Sequence, residues 1–286
     1  MITVIWVVFL ILALWIGIAL TRDFIKHREN LEDNSWAKTG FIGFVGNFFD
    51  TLGIGSFATE TALFKFMKQS EDRLIPGTLN VANAIPTVVQ AIIFIQIVEV
   101  EPLTLVLMLV ASGVGAILGS GIVSKLPENK IRLTMGIALL ITACFMVATK
   151  LKWIEGGGEA IGLEGNKLIF AVAVNFILGA LMTAGIGLYA PCMALVFALG
   201  MSPTVAFPIM MGSCAFLMPI ASLRFIKEGA YNRRASFIIS ITGVLAVLIA
   251  AFLVKSLPMD YLRWVVIAVI IYTATVMLRA AFQTNK

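Results

Sequence analysis

The sequence predicts an all-α polytopic membrane protein. It is expected to hold two inverted internal repeats, each a glycine-broken re-entrant segment plus three transmembrane helices, after one extra N-terminal span. Three observations predict this. The 286 residues are 60% hydrophobic and 13% charged, with a mean hydropathy of +0.99. A soluble domain of that length cannot bury so much apolar surface, whereas a bilayer solvates it. The apolar residues also fall in runs of about 20, the length a helix needs to cross a hydrocarbon core roughly 30 Å thick. Finally, landmarks of the first half recur in the second.

Residues 2–20, "ITVIWVVFLILALWIGIAL", are the first span. They lack a basic start and a small-residue cleavage site, so a retained helix is expected and not a removed signal. A charged connector at 21–39 completes the N-terminal part, 1–39. Repeat unit 1 follows at 40–150, with a broken segment at 40–66 and helices at 77–98, 103–123 and 131–149. A glycine-rich acidic loop within 151–165 separates it from unit 2 and a short tail, 166–286. Unit 2 has its broken segment at 167–199 and helices at 203–225, 235–254 and 263–282.

The duplication rests on three landmarks. "DTLGIGSFA" (50–58) and "MTAGIGLYA" (182–190) share Thr51/Thr183, Gly53/Gly185, Ile54/Ile186, Gly55/Gly187 and Ala58/Ala190 at an offset of 132. "LPENKIRLTMGIALL" from 126 aligns with "LPMDYLRWVVIAVII" from 257 at an offset of 131, keeping Leu-Pro and Arg132/Arg263. Proline suits a first helical turn and cannot continue a helix, which makes that pattern informative. Pro86 and Pro219, inside apolar segments, give 133.

Basic residues orient the units. If the broken segments enter and leave on one side, 16 of the 21 Lys and Arg fall on the same side as 21–39. The positive-inside rule makes that side cytoplasmic. The N-terminus is then outside and the C-terminus inside. Each unit crosses an odd number of times, which inverts the second relative to the first.

Composition excludes several function classes. The net charge of +5 comes from Lys and Arg between apolar runs, so no nucleic-acid partner is needed to explain it. Cys144, Cys192 and Cys214 lie in apolar segments without metal-type spacing, and His27 is the single histidine, in the charged connector. Zinc, haem and copper chemistry lack their usual ligands, so no cofactor or metal is expected.

The glycine pairs carry the chemical expectation. Broken backbone at membrane depth leaves N–H and C=O groups that only protein or a wet cavity can satisfy. Half-helices starting near Gly53–Ser56 and Gly185–Leu188 would aim free N–H groups and positive dipole ends inward, a cradle for a small anion. Close helix packing is the plainer account of one Gly-x-Gly; two copies beside matching threonines favour the cradle. The expected substrate-binding set is Thr51, Gly53, Gly55, Ser56, Asn80, Asn83, Thr183, Gly185, Gly187, Tyr189, Cys192 and Ser213. Asp50 and Glu60, opposite Met182 and Cys192 in the other unit, are carboxylates at membrane depth. They are expected to couple a proton or cation such as Na+; the alternatives are a structural ion pair with Lys65, or a carboxylate at the aqueous rim that caps backbone N–H groups.

The duplicated unit, with its Gly-rich motif, proline-bearing helix and "LPENKIRLTMGIALL" close, resembles the sulfite exporter TauE/SafE family, also called the 4-toluene sulfonate uptake permease family. The resemblance covers 40–282, and "NFFDTLGIGSFATETALFKF" departs from the glycine-richer family run through Asn47, Asp50 and Glu60. It implies a permease for small sulfur-containing anions, such as sulfite or organosulfonates, in the bacterial inner membrane. An anion channel is the alternative. A membrane-embedded enzyme is a poorer fit, because paired catalytic groups are lacking.

Overall fold

The computed structural model describes residues 2–151, 153, 158–253 and 259–283. Leu257, Pro258 and part of the 151–165 loop lie outside the described residues. Within them the fold is helical: α1 (Ile2–Lys26), α2 (Trp36–Thr51), α3 (Ser56–Met67), α4 (Ile75–Ile97), α5 (Pro102–Val123) and α6 (Glu128–Lys150) come first. Then follow α7 (Gly165–Met182), α8 (Tyr189–Ala198), α9 (Ala206–Glu228), α10 (Arg233–Leu253) and α11 (Met259–Gln283). Both broken segments are indeed split, into α2/α3 and α7/α8. Seven helices are long and apolar enough to cross a membrane among the described residues: α1, α4, α5, α6, α7, α9 and α10.

Local chemistry sets the helix boundaries. Ser35 caps α2 by accepting from the Lys38 N–H, and Pro76 and Pro102 occupy first turns, where their missing N–H costs nothing. Glu101 caps α5 with both carboxylate oxygens, accepting from the N–H groups of Leu103 (2.9 Å) and Thr104 (2.6 Å). Pro86 and Pro219 sit inside continuous helices, α4 and α9.

Those two proline-bearing helices pack together at the centre. α2 packs on α10 and α5 on α7, α4 on α10 and α5 on α9, and α6 on α11. Exchanging α2–α6 for α7–α11 converts this set of pairs into itself. Glycine permits the closest approaches: a Cβ on Gly43 would stand 2.8 Å from Ile239 Cα, and one on Gly179 would stand 2.7 Å from Ser112 Cα. α1 lies against α4, α9 and α10, presenting Leu10, Leu14 and Trp15 outward.

The connections gather at two ends of the bundle. At one end the Ser35 N–H donates to Gln69 Oε1 (2.8 Å), joining the start of α2 to the exit of α3. There too Asp72 accepts from Lys65 (2.6 Å) and Arg132 (2.7 Å), and Arg233 bonds Asp23 (2.8 Å). Lys65 is therefore paired with Asp72 and with neither Asp50 nor Glu60. At the other end the Glu101 N–H donates to Ile161 O (2.8 Å), the Ser202 N–H to Ala160 O (2.8 Å) and Lys167 Nζ to Leu199 O (3.3 Å). The last bond joins the start of α7 to the exit of α8. The α2/α3 hairpin thus opens at one end of the bundle, and the α7/α8 hairpin at the other.

Candidate functional site

The two hairpin turns use one hydrogen-bond scheme. In the first, the N–H groups of Leu52, Gly53 and Ile54 donate to Phe49 O, Asp50 O and Phe49 O at 3.1, 2.9 and 3.1 Å. In the second, those of Ala184, Gly185 and Ile186 donate to Leu181 O, Met182 O and Leu181 O at 3.0, 3.0 and 3.4 Å. Each is the same bond 132 residues on. Gly53 (φ +80°) and Gly185 (φ +95°) take the left-handed conformation that closes such a turn without a Cβ penalty. The chain then reverses. A continuous helix would separate residues 46 and 60 by about 21 Å, yet a Cβ on Gly46 would collide with the Glu60 side chain.

The two hairpins meet in the interior through Asp50 and Tyr189. Asp50 Oδ1 accepts from the Ser56 N–H at the start of α3 (2.5 Å), and Oδ2 accepts from the Tyr189 hydroxyl at the start of α8 (2.9 Å). Tyr189 Oη is also 2.9 Å from Gln90 Oε1, while Gln90 Nε2 is buried without a partner. One hydroxyl proton cannot serve two acceptors. Turning the Gln90 amide over makes an ordered chain, Gln90 Nε2–H to Tyr189 O–H to an ionised Asp50. With a proton on Asp50 the chain runs the other way, Asp50 to Tyr189 to Gln90 Oε1. Beside it is a cavity of about 20 Å³, bordered by Asp50, Gly55, Ser56, Thr87, Gly187 and Tyr189 among others. That is room for one water molecule.

A second polar centre lies one turn back from the tip of the first hairpin, toward the end where it opens. Glu60 Oε1 accepts from Asn47 Nδ2 (3.2 Å) and Oε2 from Asn83 Nδ2 (2.8 Å); all three residues are fully buried. Asn47 rests on Gly243 of α10, where a Cβ would stand 2.7 Å from its Nδ2.

The residues expected at one anion site separate into distinct places. Gly55, Ser56, Gly187 and Tyr189 border the cavity, and a Cβ at Gly55 or Gly187 would meet open space. Gly53 and Gly185 point to opposite ends, against Phe207 of α9 and Met135 of α6. Thr51 and Thr183 spend their hydroxyls on their own helices, at Asn47 O (2.9 Å) and Ala180 O (2.7 Å), so they give the cradle no donor. Asn80 donates to Pro76 O, and Ser213 Oγ accepts from Asn175 (3.0 Å); neither borders the cavity. Cys192 is fully buried, off the cavity lining, and Asn83 belongs with Glu60. The N–H of Ser56 at the start of α3 is already taken, by the carboxyl group of Asp50.

Asn47 and Gln90 stand out as site residues only in the fold. Part of the signal is in the sequence, since Asn80, Asn83, Thr87 and Gln90 recur every three or four residues along α4 and form one polar stripe on an apolar helix.

Seven apolar helices of spanning length, with hairpins from opposite ends meeting at a buried polar centre, define an integral membrane protein. The chain belongs to the sulfite exporter TauE/SafE family, a family of membrane transporters: the family model matches residues 1–146. That match takes in α1, which the expected resemblance over 40–282 left out, and it ends before the second broken segment. Neither curated proteins nor solved structures gave a match.

Proposed function

We propose that this protein is a secondary transporter that moves a small sulfur-containing anion, such as sulfite or an organosulfonate, across the bacterial inner membrane by alternating access. The observation that carries the reading is the Asp50–Tyr189 contact. It joins hairpins that open at opposite ends of the bundle, in a chain of the sulfite exporter family. The self-converting packing list and the repeated turn bonds support two duplicated, inverted units, at 40–150 and 166–286. The basic end that ties 21–39 to residues 65–72, 132 and 231–234 is the cytoplasmic one in this reading.

Sulfite has four heavy atoms and does not fit a cavity sized for one water. The site opens when Tyr189 parts from Asp50. The anion then takes the donors that Asp50 uses now, the Ser56 N–H and the Tyr189 hydroxyl, together with N–H groups at the start of α8. Two negative charges a few ångströms apart in a dry site repel strongly, so the anion binds while Asp50 carries a proton. Proton and anion move together. The closed centre favours a carrier over an open channel, which needs a continuous wet path.

Purified protein in proteoliposomes, assayed for uptake of sulfite, taurine, sulfoacetate and thiosulfate with and without a pH gradient, tests this. Saturable uptake of one of these, with a pH dependence that disappears in Asp50→Asn, is the expected result. Correctly inserted protein with no saturable anion uptake rejects it.

A further inference from the structure

The outgoing half of the first hairpin, α3, also meets α11, and the two helices leave a groove of about 640 Å³ between them. Its walls are largely apolar: Ala62, Leu63 and Phe66 on α3, and Ala268, Tyr272 and Val276 on α11. Phe66 is 79% exposed and Tyr272 66%, so the groove opens on the outside of the bundle. In a chain that spans a membrane, an apolar groove on that surface faces acyl chains.

One end of the groove is basic. Lys65 and Lys68 line it, and no acidic side chain does. Lys65 is committed to Asp72. Lys68 ends α3 in the left-handed conformation (φ +53°); it is exposed and has no acidic partner among the described residues. A Cβ on Gly136 would stand 2.7 Å from Leu278, so the last turns of α11 lie beside the first turns of α6. That is the end of the bundle where Lys65 and Arg132 meet Asp72. There Arg279 follows Tyr272 and Val276 at helical spacing, which puts it on the groove's face of α11. It too is exposed and without an acidic partner among the described residues.

Apolar walls with unbalanced positive charge at one mouth fit a phospholipid, its chain along the walls and its phosphate at the cations. The headgroup's net charge decides which kind. A zwitterionic headgroup brings its own ammonium, which Lys68 and Arg279 repel; an anionic one offers its phosphate charge unbalanced. We propose that the α3–α11 groove binds an anionic phospholipid, with an acyl chain against Phe66 and Tyr272 and the phosphate between Lys68 and Arg279. A lipid seated there braces α3, whose first N–H holds Asp50, against α11. Its occupancy then sets how freely the first hairpin moves. That role rests on the transport reading above, whereas binding is measurable without transport.

Native mass spectrometry of the purified full chain in detergent, titrated with dioleoylphosphatidylglycerol or dioleoylphosphatidylcholine, tests the site. Wild type is expected to retain one phosphatidylglycerol per chain in preference to phosphatidylcholine. Free glycerol phosphate, the headgroup without chains, should not displace it. Replacing both cations, Lys68→Gln with Arg279→Gln, should weaken phosphatidylglycerol binding by at least about fivefold and leave phosphatidylcholine unchanged. Ala268→Trp, at an exposed position on the wall, should weaken both lipids by filling the groove. Equal retention of phosphatidylglycerol by wild type and the charge variant overturns the proposal. So does displacement by glycerol phosphate, which would mark a free-phosphate site, or a disulfide-linked dimer of Ala268→Cys in phosphatidylglycerol, which would put a second copy over the groove. Selective retention lost in the charge variant, in protein that takes up no sulfite, upholds the lipid site and removes the transport reading. If neither variant elutes as a folded species, wild-type selectivity for phosphatidylglycerol over phosphatidylcholine decides.

Discussion

The two hairpins share a backbone and differ in chemistry. Their turns close with the same three hydrogen bonds, and each packs a glycine-bearing helix against the partner unit. Yet Asn47, Asp50 and Glu60 of the first hairpin stand opposite Gly179, Met182 and Cys192 of the second, at the same offset of 132. On the proline-bearing helices, Asn83 and Gln90 stand opposite Phe216 and Leu223 at 133. Where the first hairpin holds a carboxylate on an N–H and a hydroxyl, the second holds sulfur on sulfur, with Cys214 Sγ 3.5 Å from Met182 Sδ. Turn geometry is therefore maintained by hydrogen bonds that any sequence with the right glycines can make. The ionisable groups are free to concentrate on one side. In this reading the first hairpin handles the coupling proton, and the second supplies a neutral donor, Tyr189.

Transplanting charge should break the comparison most severely. Met182→Asp puts a second carboxylate beside Cys214, on the cavity that Asp50 already borders and without a side-chain donor of its own. It is expected to cost several kcal/mol, read as aggregation or a collapsed melting temperature in detergent. A variant as stable as wild type would mean that the second hairpin tolerates charge and that the asymmetry is incidental.

Removing the donor between the hairpins comes next. Tyr189→Phe leaves Asp50 Oδ2 buried without its hydroxyl, a loss of about 1–3 kcal/mol, and should lower sulfite uptake by roughly tenfold or more. Uptake equal to wild type would detach the contact from transport.

The glycines that border the cavity sharpen the comparison further. Gly55 has φ +94°, whereas Gly187 has no positive φ. Gly55→Ala should destabilise by about 1–2 kcal/mol. Gly187→Ala should melt like wild type and still slow uptake, because its methyl group enters the cavity. Equal melting temperatures for the two variants would contradict the backbone difference.

The smallest effect belongs to the scaffold at the end where the second hairpin opens. The N–H groups of Thr104 and Leu103 hold the half-buried Glu101 carboxyl below the usual carboxylate range. A lowered value means that the ionised cap stabilises above the ordinary carboxylate range and fades as pH falls through the lowered value. Glu101→Gln should cost no more than about 1 kcal/mol at neutral pH and flatten the acid side of the melting-temperature profile. Uptake should not change.

Much of this was legible in the residues. Apolar runs, prolines and glycine pairs placed the helices to within a few residues. The structure starts α4 at Ile75 against an expected 77, and α6 at Glu128 against 131, because Pro76 and Pro127 admit a first turn earlier. The site was only partly legible. Asp50 and Glu60 stood out as charges in apolar segments, and Gly55, Ser56, Gly187 and Tyr189 do border the cavity. Thr51 and Thr183 look like site donors in sequence because a hydroxyl beside a turn is free until its own helix carbonyl claims it. Gly53 and Gly185 look equivalent to Gly55 and Gly187, but in each pair one glycine closes the turn and the other faces space.

By itself, the sequence determined that the chain is a bundle of membrane-length helices with two glycine-closed breaks, because hydropathy and backbone freedom are local properties of the residues. Only the tertiary structure decided that Tyr189 reaches Asp50 across 139 positions, that Lys65 turns away to Asp72, and that Asn47 and Asn83 close on Glu60. A buried polar group takes whichever partner the packing brings within about 3 Å. That partner is set by how the helices cross, which no single segment encodes.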